Sequence, residues 1–489
     1  MKQPKSSRAV FKKLDNDALR IGLLLAVILI GAYVAFFRLG ADGWKDDEPI
    51  YREAGLAYVR DGDFSLNREH PFLAKYILGA TQIVFGSSES EVVRLPAATA
   101  ALATGLVLFA FARRVAGYWT GVLALALWTI SPLTLRLGRS ATLNVFVAFF
   151  SSLALYLGWR WAESRSWKFA VLAGVAIGLA TASKPVGILF LPAILFVGLL
   201  KIGLSRCFVF QSTLIGLAAA TVALATYAPL GSEALSAIQY MFEFQGEHNA
   251  KGHPADIDGV IYTFPPWWAH LYWQWDIVYG TLASISLGVA VAIAFLRPRP
   301  LELYLLAAVL VPFLFLSFYM QFKLAGHFYA YQPPLILLVA LAAGKLAFWQ
   351  GIKGGILTLM ILAPFVYLGV ESVQQPSRIQ PSNYAKLADY LEDTERDQDT
   401  ILIWGSRDIL QAELPKARII EDPEDAQGEE IDDVIVDKKF SKQHSRPPVE
   451  DYIETNRSNL ERIETIQHLA VKLTHYASAM DNAYLGGSP

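Results

Sequence analysis

With 489 residues, 54% of them hydrophobic and 18% charged, the chain has the composition of a polytopic membrane protein rather than a string of soluble domains. Its net charge of −2 conceals an asymmetry: residues 1–372 carry 29 bases and 21 acids, and residues 373–489 carry 13 bases and 23 acids. A basic apolar body and an acidic tail predict two domains in two environments, while bases scattered over loop ends argue against a nucleic-acid partner. Cys207 is the only cysteine, which excludes an intrachain disulfide and a thiolate metal cage; a lone thiol reads as a small buried apolar side chain.

In chain order, Lys2, Lys5, Arg8, Lys12, Lys13 and Arg20 precede an apolar run over 21–37. That run can span a bilayer and lacks a small-residue cleavage site, so a retained first helix is predicted, with a cytoplasmic N-terminus. The stretch Gly43-Trp44-Lys45-Asp46-Asp47-Glu48-Pro49-Ile50-Tyr51 then faces outward. Ile50, Tyr51, Ala54, Ala57 and Tyr58 recur at helical spacing, as do Phe72, Leu73, Tyr76, Ile77, Ala80, Ile83 and Val84. The second segment, roughly fifteen residues long, is too short to cross. Both are placed as amphipathic helices at the membrane surface.

Further spans are predicted at 95–112, 119–135, 143–161, 169–182, 186–200, 208–230, 277–295, 303–319, 334–348 and 355–370, about eleven with the first. Alternate connections hold Arg113 and Arg114; Arg160, Arg165 and Lys168; Lys201 and Arg206; Arg297 and Arg299; and Lys345 and Lys353. These basic loops fall on the side of the N-terminus, as the positive-inside rule requires. A long outer loop occupies 231–276, and the tail after Glu371 also lies outside. Within the tail, 400–404 and 431–436 read as strands, 384–391 and 449–466 as helices, and the acidic run 421–430 as a loop. A small α/β soluble domain follows from that pattern.

Several outer residues could carry chemistry. Asp46, Asp47 and Glu48 precede Pro49; they read either as a helix cap completing the dipole or as a general base at the membrane surface. Lys75 either snorkels to headgroups or meets a lipid phosphate. Arg94, Arg136, Arg139, Lys184 and Lys323 occupy short outer segments, where the topological bias disfavours bases. A convergent anion site would account for them. The long loop adds His248, His253, Asp256, Asp258 and the run Pro265-Pro266-Trp267-Trp268-Ala269-His270-Leu271-Tyr272-Trp273-Gln274-Trp275. Its tryptophans suit an interfacial belt, a sugar platform or a polyprenyl contact. His248 and His253 with nearby acids are candidates for a divalent cation, at a spacing that matches no strong signature.

Taken together these signatures resemble the GT-C glycosyltransferases, closest to the protein mannosyltransferase and aminoarabinose transferase group (family 39). The series runs Asp47-Glu48 with Tyr51, His70-Pro71 with Lys75, Arg94-Leu95-Pro96, and Ser131-Pro132 with Arg139. It continues as Gly178-Leu179 with Lys184, and Gly326-His327-Phe328-Tyr329 with Tyr331 and Pro334. The resemblance covers about residues 20–350 and leaves the acidic tail unmatched. It implies an all-α GT-C membrane domain over 1–372, and the charge asymmetry sets 373–489 apart as a separate domain. It also implies a polyprenyl- or dolichyl-phosphate sugar donor, a protein, lipid or glycan acceptor, and inverting transfer on the outer face.

On that resemblance Asp47 corresponds to the catalytic acid, with Glu48 beside it, and Lys75 to a donor-binding base. Arg94, Arg139 and Lys184 join Lys75 as candidate phosphate contacts, and Tyr51, His70, Asn144, His248, His327 and Tyr331 as substrate-positioning residues. Asn144 stands where the family often has a second aspartate, which weakens any scheme that needs two acids or a metal there. No cofactor is required by the resemblance, and the metal question stays open. The rival from another class is a polytopic transporter or lipid flippase; the absence of charge inside the spans argues against it. An inactive relative whose tail recruits a partner is a third reading.

Overall fold

The structure is a computed structural model that describes residues 17–478 other than 297, 350, 428–430, 438–439, 441–445, 457–459 and 469–470. The basic flank from Lys2 to Lys13, and Arg297, lie outside the described residues. The chain divides into two compact units. One comprises Met1–Leu39, Tyr51–His253 and Ile257–Arg378; the other comprises Gly40–Ile50, Pro254–Asp256 and Ile379–Pro489.

The first unit is helical. Among the described residues nine helices are long and apolar enough to cross a membrane, from Asp17–Phe36 to one starting at Ile352. Two predicted spans fall short of that length. Trp167–Ser183 has 17 residues, and 119–135 divides into Tyr118–Thr129 and Pro132–Leu137. The division has a local cause: Pro132 supplies no backbone N–H, and Ser131 before it is extended, with ψ of 129°. Glu48–Leu56 and Leu73–Phe85 are helices of 9 and 13 residues, too short to cross.

Small residues let these helices approach. Built on Gly174 and Gly178, a Cβ would lie 2.4 Å from the Ile215 carbonyl oxygen and 2.7 Å from that of Ala219. Trp167–Ser183 therefore packs on Arg206–Ala225 through a small-x-x-x-small seam, the arrangement apolar solvent favours because it rewards close contact. The long loop 231–276 is more ordered than its composition suggested. It carries the 18-residue helix Ala234–Lys251 and the short strands β1 (Ala255–Ile257) and β2 (Val260–Tyr262). Ala237 of that helix joins Ala54, Tyr58, Phe72, Tyr227 and Leu230 in one buried cluster. This cluster fastens the surface helices and the long loop into one scaffold.

Cys207 is exposed at the start of Arg206–Ala225, contrary to the expectation of a buried thiol. At the basic ends of the spans, Glu302 pairs with Lys345 at 2.6 Å.

The second unit contains a five-stranded sheet in the order β4-β3-β5-β7-β6. Here β3 is Thr400–Trp404, β4 Arg418–Ile420, β5 Asp433–Asp437, β6 Leu460–His468 and β7 Val471–Ser478. β3 runs parallel to β4 and β5, and β7 runs antiparallel to β5 and β6. Leu387, Leu391, Ile401, Ile403, Leu410 and Ile435 form its core on one face. The predicted helix over 449–466 is corrected: a helix covers Pro447–Thr455, and β6 begins at Leu460. In the sequence Leu460, Ile463 and Ile466 recur every third position, a spacing that imitates a helical period although the segment pairs with β7 as a strand. In the acidic run, Asp422 accepts a hydrogen bond from the Glu424 N–H at 2.9 Å, and 428–430 lie outside the described residues.

Candidate active site

The turn that carries the acids belongs to the second unit. Gly43 and Asp46 have φ of 71° and 46°, a region that costs little for glycine and is tolerated by aspartate. A Cβ on Gly43 would also meet the Glu413 carboxylate at 2.4 Å. Glu413 accepts a hydrogen bond from the Trp44 N–H at 2.7 Å. The turn closes on itself: the Glu48 N–H donates to the Lys45 carbonyl, and the Lys45 N–H donates to the Glu48 carboxylate, each at 3.0 Å. The Lys45 ammonium pairs with Asp42. Glu48 is fully buried, and Asp47 beside it is exposed. Two adjacent acids thus have different work: Glu48 secures the turn, and Asp47 meets solvent.

Lys75, at 0% exposure, lies in the first unit on Leu73–Phe85. Its ammonium donates to the Asn67 carbonyl, to Asn67 Oδ1 at 3.0 Å and to the His70 carbonyl at 2.9 Å. It also lies 5.2 Å and 5.1 Å from the ring centroids of Tyr58 and Phe72. Burial pulls its pKa down to about 7, opposed by Glu69. Three oxygen acceptors match the three protons of an ammonium, so this geometry ties Lys75 to the loop 67–70.

Arg94 and Arg139 are also buried. Arg139 donates to the carbonyls of Val34, Phe37 and Arg38 at 2.6, 2.9 and 3.0 Å. Arg94 donates to the Leu39 carbonyl at 2.9 Å. Those carbonyls include the ones that the C-terminus of Asp17–Phe36 leaves without helical partners, at the negative end of its dipole. Guanidinium groups therefore cap the first span.

Lys184, by contrast, is bonded to a side chain. It is partly buried where Trp167–Ser183 ends, and its Nζ donates to Asn144 Oδ1 at 3.2 Å. The Asn144 Nδ2 donates to the Gly326 carbonyl at 3.2 Å. An aspartate could not make that second bond, so the amide that departs from the family pattern fits its surroundings here. Around this chain lie histidines. Lys184 acts electrostatically on both His70 and His327. The Tyr51 and His70 rings lie 6.1 Å apart, those of His270 and His327 6.3 Å, and those of His248 and His253 5.8 Å. Tyr331 is buried against Phe328, at 4.8 Å between ring centroids.

Hence the structure brings together Lys184, Asn144, His70 and His327, and directs Lys75, Arg94 and Arg139 to backbone carbonyls. His270, fully buried, was not singled out from the sequence; its aromatic surroundings signalled only an interfacial belt. Among the described residues no group of three or more His, Cys, Asp or Glu side chains is placed to hold a metal ion. The divalent cation considered for His248 and His253 therefore finds no ligand set among those residues.

Helices long enough to cross, two short helices after the first of them and a C-terminal α/β unit define a multi-pass membrane protein of GT-C fold. The model of the dolichyl-phosphate-mannose-protein mannosyltransferase family matches residues 69–232. Among solved structures the chain is similar to ArnT from Cupriavidus metallidurans bound to undecaprenyl phosphate: TM-score 0.64, 14% identity, covering 93% of this chain and 97% of that one. It is also similar to the Archaeoglobus fulgidus oligosaccharyltransferase, with TM-score 0.57, 15% identity and coverage of 88% and 71%. The mycobacterial arabinofuranosyltransferase AftD gives TM-score 0.50 at 15% identity, with 93% of this chain and 41% of that one covered. No curated protein sequence matched. The resemblance read in the motifs is thus met by the fold and by a family match inside the membrane unit.

Proposed function

We propose that this chain is a membrane glycosyltransferase that moves a sugar from a polyprenyl-phosphate donor to an acceptor hydroxyl on the extracytoplasmic face. The observation that carries the reading is the chain Lys184–Asn144–Gly326, which joins three separated signature segments in one place. It places a cation bonded to an amide oxygen among those segments, which suits an anionic leaving group. The family match and the undecaprenyl phosphate bound by ArnT support the donor class.

In this reading the acceptor oxygen attacks the anomeric carbon as the bond to phosphate breaks. Asp47 takes the acceptor's proton, and a single displacement inverts the configuration. Lys184 offsets the charge that develops on the departing phosphate. Lys75, Arg94 and Arg139 act one step back: they hold the loop 67–70 and the end of the first span from which the acidic turn departs. The N-terminus and the basic loops are cytoplasmic, and the acidic domain lies outside. The test is in vitro transfer by the purified full chain from polyprenyl-phosphate sugars, combined with mass spectrometry of envelope glycans with and without the protein. A new glycosidic product supports the reading; transport of solute or lipid with no covalent product overturns it.

A further inference from the structure

Five of the eight histidines, His70, His248, His253, His270 and His327, lie in the membrane unit, on segments far apart in sequence. They meet around Lys184 and Lys323. Phe322 bridges two of the rings, 4.5 Å from His248 and 5.7 Å from His327. Four imidazole nitrogens there are buried and have no hydrogen-bond partner among the described residues: Nδ1 of His70, both nitrogens of His270, and Nδ1 of His327. His270 is 0% exposed and His327 7%. A buried polar atom left without a partner is costly, and native proteins keep such atoms where function uses them.

The side chains that act on these imidazoles are lysines and other histidines. Lys184, Lys75 and His248 act on His70; Lys184, His270, His70 and His253 act on His327; Lys323 acts on His270. No carboxylate is among these groups. The nearest named acid, Glu69, accepts from the Asn67 side chain at 2.6 Å and acts on Lys75. Lys323 spends two of its protons on the carbonyls of Pro265 and Met320, both at 2.8 Å. Imidazoles with an N–H to give, beside lysines, are complementary to a multivalent anion.

We propose that His70, His270 and His327 complete the site for the lipid phosphate beside Lys184, and that this cluster takes up a proton as the phosphate leaves the sugar. The inference rests on the glycosyltransferase reading and adds residues and a proton to it. In the transfer, the anomeric carbon–oxygen bond breaks and its electron pair goes to the phosphate oxygen. The acceptor oxygen bonds to the anomeric carbon, and its proton goes to Asp47. A diester with one negative charge thereby becomes a monoester able to carry two. Before that step burial, and then Lys184 and Lys75, hold His70 below the ordinary imidazole range. Afterwards the second negative charge reverses the balance, and a proton from water converts one imidazole to a two-donor cation.

Isothermal titration calorimetry of the full chain in detergent tests this without turnover. Polyprenyl phosphate is titrated near neutral pH in two buffers of different ionisation enthalpy, with polyprenol as the uncharged arm. The expected result is net proton uptake with the phosphate and none with polyprenol. His270→Gln and His327→Gln should each weaken the phosphate roughly tenfold or more and reduce the uptake. Binding without proton uptake in the unmodified chain overturns the proposal and needs no variant; so does equal uptake with polyprenol, or unchanged affinity in both variants. Any of these with sugar transfer intact leaves the functional reading standing, whereas no binding of polyprenyl phosphate at all counts against both.

Discussion

Neighbouring residues of like chemistry are separated here by what surrounds them. Asp47 and Glu48 are both carboxylates, yet the backbone of Lys45 occupies the Glu48 side chain while Asp47 is exposed. Asp47→Asn keeps the turn and removes the base. Transfer should fall by about 10²- to 10⁴-fold, the usual share of general base catalysis, with affinity for polyprenyl phosphate unchanged; retained turnover would remove Asp47 from the mechanism. The lysines divide in the same manner. Lys75→Met strands the acceptors on Asn67 and His70 and should cost about 2–4 kcal/mol of stability, seen as a lowered melting temperature. Asn144→Asp places a carboxylate against Lys184 and removes the donor to Gly326. It should raise the apparent KM for the lipid donor about tenfold, with a smaller effect on melting. Motif spacing made these positions legible, but their partners were not. Arg139 meets carbonyls about a hundred residues away, and nothing local distinguishes such a cap from a phosphate ligand.

Between elements, the closest approach in the first outer loop is made by two glycines. A Cβ on Gly79 would lie 1.9 Å from the Gly55 carbonyl oxygen, and one on Gly55 would lie 2.5 Å from the Lys75 carbonyl oxygen. Glu48–Leu56 therefore rests directly on the backbone of Leu73–Phe85, the helix that carries Lys75. Gly79→Ala must push the two helices apart, since backbone cannot yield as a side chain does. Loss of folded protein, or a severe fall in both melting temperature and activity, is expected. Gly216→Ala supplies the contrast: its Cβ meets nothing within 4 Å, and alanine suits a helix better than glycine by about 0.5–1 kcal/mol. Equal behaviour of the two variants in a thermal melt would contradict the packing argument. The existence of both surface helices was readable from their apolar spacing, because amphipathic period survives without tertiary information. Their contact was not, because a glycine announces a close approach without naming what approaches. β6 was hidden for a related reason: Leu460, Ile463 and Ile466 recur every third residue in sequence, a local period that does not reveal the strand partner.

Across the whole molecule, the charge asymmetry divides the sequence at residue 372, whereas the α/β unit begins at Ile379 and also takes in Gly40–Ile50 and Pro254–Asp256. Apolar helices need lipid, and an acidic sheet domain needs water, so the physics of solvent alone predicts their separation. Sidedness rests on a different argument, the distribution of lysine and arginine over alternate loops. The single cysteine makes that argument testable. Cys207 is exposed beside Arg206, in a connection that also holds Lys201 and is assigned to the cytoplasm. A membrane-impermeant maleimide should label it in inside-out vesicles and spare it in sealed cells. On a Cys207→Ser background, Glu392→Cys places a thiol at an exposed position at the end of the helix Asn383–Asp393. That thiol should label from outside and be protected in inside-out vesicles. Eleven crossings place the two thiols on opposite sides of the membrane, whereas an even number of crossings between them would place both on one side. Because Trp167–Ser183 and the Tyr118–Thr129 helix lie near the limit of spanning length, the parity is the property most exposed to error. Opposite labelling fixes the parity of the crossings after Cys207, and Arg60→Cys, exposed before the two short helices, should label from outside if Asp47 acts on that face.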